Sequence, residues 1–139
     1  MSTEIEKKRN RDYYDEFSKT YEDQRHHGYH KMLDDLEDGY VRKFGEGKII
    51  FEAGCGTGLV LSRARNYASK VFGVDLSYGM LTGSKEKELD VAQGDLTQIP
   101  YADTSFDVSC SFKVLAHVEN IQAALSEMAR VTKDGGHLL

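Results

Sequence analysis

Of 139 residues, only two are cysteine and one is proline. Cys55 and Cys110 stand far apart and form no metal-ligand spacing, so no metal site is expected from them. In the reducing compartment expected for this chain both are free thiols. Cys110 reads as a small buried hydrophobe on a strand. Cys55 sits in a glycine loop ahead of a helix, where a thiol pKa can fall, yet packing is the commoner role of such a residue. There is no internal repeat and no low-complexity linker. No run approaches the roughly 18 apolar residues of a membrane span, and the N-terminus, Met1-Ser2-Thr3-Glu4, lacks the apolar stretch of a signal peptide. With a net charge of −5 and no basic block, a phosphate backbone is not expected to drive binding. These absences predict a cytoplasmic protein with neither a nucleic-acid nor a membrane partner.

What is present is ordinary for one globular domain: 40% hydrophobic and 29% charged residues. Residues 4–25 are highly charged, with Tyr13, Phe17 and Tyr21 at a step of four, a narrow apolar stripe for a helix that lies over something else. A second helix is expected over 29–44, with Met32, Leu33, Leu36, Tyr40, Val41 and Phe44 on one side and Gly45 and Gly47 ending it. From residue 48 strands and helices alternate. Strands are expected at 48–52, 70–75, 91–94 and 106–112. Helices are expected at 59–67, after a Ser77 cap, and along Ile121, Ala124, Leu125, Met128 and Val131. Gly79 and Gly83 should weaken the middle helix by ~1 kcal/mol each. Residues 133–136 read as a turn into a fifth strand that starts at His137-Leu138-Leu139. The pattern is that of an α/β, Rossmann-like, doubly wound and mostly parallel sheet with N-terminal helices. It divides into a helical lid over 1–45 and a ligand-binding domain over 46–139.

The chemistry is expected at Glu52-Ala53-Gly54-Cys55-Gly56-Thr57-Gly58, between the first strand and its helix. Glycines there permit a sharp turn and a close approach of ligand to backbone. Asp75 ends the second strand, where a carboxylate can accept both hydroxyls of a ribose, and Asp95 follows the third on the same edge. The spacing is G-x-G-x-G, not the dinucleotide G-x-G-x-x-G. Glu52 beside the loop would repel a pyrophosphate and suit a cationic ligand.

In these blocks the sequence resembles the class I S-adenosylmethionine-dependent methyltransferases, particularly the small-molecule branch with the ubiquinone/menaquinone biosynthesis enzymes. The resemblance is carried by EAGCGTG (52–58), VDLSYGML (74–81), QGDLTQIPYADTSFDV (93–108), SFKVLAHVEN (111–120) and GGHLL (135–139), in order and at the family's spacing. YDEFSKTYED (14–23) is similar to the family's N-terminal helix, with Ser18 in place of an alanine. The resemblance implies S-adenosylmethionine as cofactor and S-adenosylhomocysteine as product. It implies that Gly54, Cys55, Gly56 and Gly58 pass the methionyl part along the backbone and that Glu52 holds its ammonium end. Asp75, with Leu76 beside it, would take the ribose, while Met80 packs on adenine. Asp95 and the Leu96 N–H would take the adenine edge, Lys113 would offer main-chain contacts near the methionyl tail, and Tyr21 would reach in from the lid.

His117 has two readings, a general base or a hydrogen bond that holds its loop. His26, His27 and His30 form a helix-junction surface with no carboxylate or cysteine to complete a metal site, and no metal is expected. The Tyr13, Tyr14, Phe17 and Tyr21 stripe packs, with one ring free to face a sulfonium. Three function classes stay open: a small-molecule methyltransferase, a non-catalytic cofactor-binding module or fragment, and an NAD-dependent oxidoreductase, which the glycine spacing disfavours. The family's C-terminal strands are expected to be absent, leaving an exposed sheet edge for self-association.

Overall fold

The computed structural model describes residues 4–18 and 28–139. Two helices, α1 (Glu4–Phe17) and α2 (Gly28–Gly45), precede the alternating part. There follow β1 (Ile49–Ala53), α3 (Leu59–Ala64), β2 (Lys70–Asp75), α4 (Tyr78–Glu86), β3 (Val91–Gln93), β4 (Phe106–Cys110), a single 3-10 turn (Leu115–His117), α5 (Ile121–Val131) and β5 (Thr132–Leu138). The strand order is β3-β2-β1-β4-β5, and every pairing is parallel. The chain winds outward from β1 to β3, then crosses back to β4. The crevice between β1 and β4 is therefore the switch point at which ligands of open α/β sheets bind.

Side-chain alternation along β1 builds both layers. Phe51 and Ala53 face one side, in a cluster with Val74, Phe106, Ala124, Met128 and Val131. Ile50 faces the other, with Val41 of α2, Ala64, Val108 and Cys110. Glu52 follows Ile50 by two residues, so its side chain shares the α2 face at the carboxyl end of the strand.

α2 departs from expectation. Met32, Leu36 and Tyr40 are 52%, 54% and 60% exposed, as is Tyr29 at 66%. The inward face is instead Leu33, Asp34, Glu37, Asp38, Val41 and Phe44, all buried or half-buried. Its last two turns reach the core, but its earlier turns present Asp34 and Glu37 to a cavity, where carboxylates take the place of apolar residues. In α5, Ala124, Met128 and Val131 are buried while Ile121 and Leu125 lie on the flank, each 43% exposed. The expected turn at 133–136 lies inside β5: pairing jumps from Phe106 with Thr132 to Val108 with His137, and Gly135 has φ +78° in the looped-out segment.

Gly79 and Gly83 mark close approaches along α4. A Cβ on Gly79 would lie 2.9 Å from Asp15 Cα of α1, and one on Gly83 would lie 2.9 Å from Thr57 Cβ. The helix propensity forgone at these two positions is offset by the packing they allow.

Candidate cofactor site

The loop after β1 turns through three left-handed glycines, Gly54, Gly56 and Gly58, with φ of +81°, +56° and +85°. It is stitched to the next βα unit. Gly54 and Cys55 donate their N–H groups to the Val74 carbonyl at 2.7 and 3.0 Å. Gly56 N–H donates to Asp75 Oδ2 at 2.9 Å, and Ser84 Oγ donates to the Gly56 carbonyl at 2.9 Å. Ser77 N–H donates to the other Asp75 oxygen at 2.9 Å, and Ser77 Oγ accepts from Met80 N–H to cap α4. The glycines serve packing as well as any ligand: a Cβ at Gly54 would meet Val114 at 2.6 Å, and one at Gly58 would meet Leu89 at 2.3 Å.

A cavity of about 330 Å³ opens at the carboxyl ends of β1 to β4. Glu52, Gly54, Cys55, Gly56, Asp75, Leu76, Met80, Asp95, Leu96 and Lys113 all line it, as does His117. Gly58 is not among the lining residues; it is the left-handed residue at the entry to α3. Tyr21, His26 and His27 lie outside the described residues.

The acids differ in surroundings. Glu52 is 3% exposed, and its Oε1 has no hydrogen-bond partner; Thr57 Oγ1 is the other such buried oxygen among the described residues, and it lines the same cavity. Burial lifts the Glu52 carboxyl well above the usual range; Glu37 and Asp75 add to this and Lys113 opposes it. Burial also raises Asp75, against the backbone N–H groups of Ser77, Gly56 and Leu76. The Asp75 carboxylate, with roughly four acceptor sites, keeps capacity for a further donor. Burial alone would raise Asp95, but the Lys7 ammonium and Thr97 hold it below the ordinary value. Thr97 N–H and Oγ1 both donate to Asp95 Oδ1 at 2.8 Å, so this residue also shapes its own turn. Burial pushes the Cys55 thiol up rather than down, which leaves it packing with Leu61, Leu81 and Leu89. His117 stacks edge-on against Tyr14 at 5.6 Å, and its carbonyl accepts from Asn10 Nδ2 at 3.2 Å, contacts that tie its loop to α1.

Sequence reasoning passed over Lys7, Asp15, Asp34, Glu37 and Thr57. Asp15 accepts from Ser77 Oγ and from Gly79 N–H, placing a carboxylate from α1 at the positive end of α4. Asp34 and Glu37 sit an i, i+3 step apart, a signal hidden by the apolar residues interleaved with them.

Residues 51–139 match the family model described as a methyltransferase domain, well over half of the chain. The chain belongs to this methyltransferase domain family. It is 36% identical over 95 residues to the malonyl-[acyl-carrier protein] O-methyltransferase of Yersinia pestis, covering 67% of this chain and 36% of that protein. It is 37% identical over 98 residues to the demethylmenaquinone methyltransferase of Mycobacterium bovis, covering 70% of this chain and 42% of that protein. The matched part of this chain thus spans well under half the length of these curated relatives. Among solved structures, an S-adenosylmethionine-dependent methyltransferase of Thermotoga maritima superposes with a TM-score of 0.77 at 26% identity, over 90% of this chain and 57% of that one. S-adenosylmethionine is the cofactor this family membership implies, and the donor set fits it. The orphaned Glu52 oxygen suits an ammonium, the free lone pairs of Asp75 suit hydroxyls, and Leu76, Met80 and Leu96 supply apolar walls.

Proposed function

We propose that this chain is the cofactor-binding part of an S-adenosylmethionine-dependent methyltransferase that acts on a small-molecule acceptor. The carrying observation is that the two buried, partnerless side-chain oxygens among the described residues belong to Glu52 and Thr57, both of which line the cavity that the family's loops surround. Bound S-adenosylmethionine supplies an electrophilic methyl group on a sulfonium with a good leaving group. The chain's own residues bind and orient. Asp75 sits to accept the ribose hydroxyls while it fixes the Gly56 and Ser77 N–H groups, so binding and loop shape are one device. Glu52 receives the ammonium in a site shielded from water, where an unpaired charge gains most from a partner. Met80, Leu76 and Leu96 hold the flat base, with Asp95 at its edge. Alignment and exclusion of water supply much of the catalysis of such a transfer, and a base is needed only where the acceptor must lose a proton. His117 lines the cavity for that task, although its contacts with Tyr14 and Asn10 favour the loop-holding reading.

Self-association through β5, whose neighbour among the described strands is β4, is the partner proposal, checked by light scattering. Titration calorimetry with S-adenosylmethionine, S-adenosylhomocysteine and NAD tests the cofactor reading. The first two should bind and NAD should not. Binding of NAD alone would restore the oxidoreductase class, and product formation on a candidate quinone or carboxylate acceptor separates an enzyme from a binding module.

A further inference from the structure

At the end of the cavity away from Asp95, the chain sets charges in a row that the family's loops do not account for. Glu52 faces α2 from β1. Lys113, in the loop after β4 with φ +62°, places Nζ 3.0 Å from Glu37 Oε1 and 3.9 Å from Asp34 Oδ1. The Glu37 and Asp34 side chains are only 15% and 16% exposed, and all four residues line the cavity. The order is acid, base, acid. Glu37 and Lys113 act on the Glu52 carboxyl in opposite directions, as close neighbours do. The other lysine lining the cavity, Lys7, is engaged with Asp95 at the far end. α2 lies before residue 51, outside the region that matches the family model.

A zwitterion needs an anion and a cation side by side. The orphaned oxygen of Glu52 fits an ammonium but cannot hold the carboxylate bonded to the same carbon. We propose that Lys113, positioned by Glu37 and Asp34 of α2, takes the α-carboxylate of the cofactor's amino-acid end. Lys113 then does more than lend its backbone, and α2 sets specificity for that end of the ligand. The ammonium of Lys113 carries three donors, so it can keep Glu37 and still bind a carboxylate. Glu37 holds a long, flexible side chain over the cavity, which reduces the ordering needed on binding. The inference rests on the cofactor reading above.

The test compares three ligands by titration calorimetry: S-adenosylmethionine, its decarboxylated form and 5′-methylthioadenosine. Lys113→Ala should weaken S-adenosylmethionine by about tenfold or more, the usual scale for a lost charge-assisted contact, and leave the other two within about twofold. Lys113→Met keeps the aliphatic stem and should give the same pattern, which guards against a folding defect in the alanine variant. Glu37→Gln should produce a smaller loss, about threefold, with the same ligand selectivity. Equal weakening of all three ligands would overturn the proposal by showing a structural role, and so would unchanged S-adenosylmethionine affinity. Absence of S-adenosylmethionine binding to the unaltered chain would instead overturn the cofactor reading itself.

Discussion

The N-terminal helices and the carboxyl edge of the sheet handle charge in opposite ways. Helix α1 contains no buried residue and docks through polar contacts: Lys7 on Asp95, Asn10 on the His117 carbonyl, Asp15 on Ser77 and Gly79. Such contacts exchange readily with water. At the sheet edge, Glu52 is buried and Asp75 half-buried, and burial raises both carboxyls. A fold does not gain stability by desolvating a carboxylate oxygen that lacks a partner, as at Glu52 Oε1. The edge thus carries a buried carboxylate at some cost to the fold, while the helix over it is held by contacts nearer the surface.

The largest effect should come from the layer beneath the edge. Phe51 is fully buried and stacks on Phe106 at 4.7 Å. Phe51→Ala should cost about 3–5 kcal/mol in denaturant unfolding. Tyr13→Ala on α1, at a position 62% exposed, should stay within about 0.5 kcal/mol. Comparable losses at both positions would erase the contrast. Next is Asp75→Ala, which should weaken S-adenosylmethionine by about 2–4 kcal/mol, roughly thirty-fold to several-hundred-fold. Asp75→Asn should fall between, since it keeps one acceptor for the Gly56 or Ser77 N–H.

Glu52→Gln should separate stability from binding. Because the folded-state value of Glu52 lies above the ordinary 4.5, the native state holds its proton more tightly than the unfolded chain. Its contribution is fully present below the unfolded value and is lost as pH rises through the folded one. The variant should therefore gain about 1 kcal/mol at neutral pH and lose part of the decline in Tm above pH 5, while cofactor affinity falls about tenfold. A Tm profile that keeps the full decline in the glutamine variant would count against a buried Glu52 with a partnerless Oε1. The smallest effect should be Lys7→Ala. The Lys7 and Asp95 side chains are 25% and 26% exposed, so global stability should move by under about 1 kcal/mol, while amide exchange speeds up along α1 alone.

The same contrast explains what could be read from the sequence. The glycine loop, Asp75 and the Ser77 cap were legible because each depends on residues close in sequence, and all came together on one edge. The α2 face was misread because Met32, Leu36 and Tyr40 supply a helical apolar period that points to solvent, while the inward Asp34 and Glu37 answer to Lys113, distant in sequence. Gly58 fitted the motif, and its turn into α3 and close approach to Leu89 and Ser84 depend on contacts distant in sequence. The Lys7–Asp95 pair joins residues 88 positions apart, and no local pattern announces it.

The most direct test is hydrogen–deuterium exchange of the chain with and without S-adenosylhomocysteine. A cofactor seated on the carboxyl edge should slow the amides of 54–57, 75–77 and 95–97 together, with a smaller change along α1. Binding that leaves those three loops unprotected, or protects only the α2 surface around Met32 and Leu36, would contradict the assignment of this edge as the cofactor site.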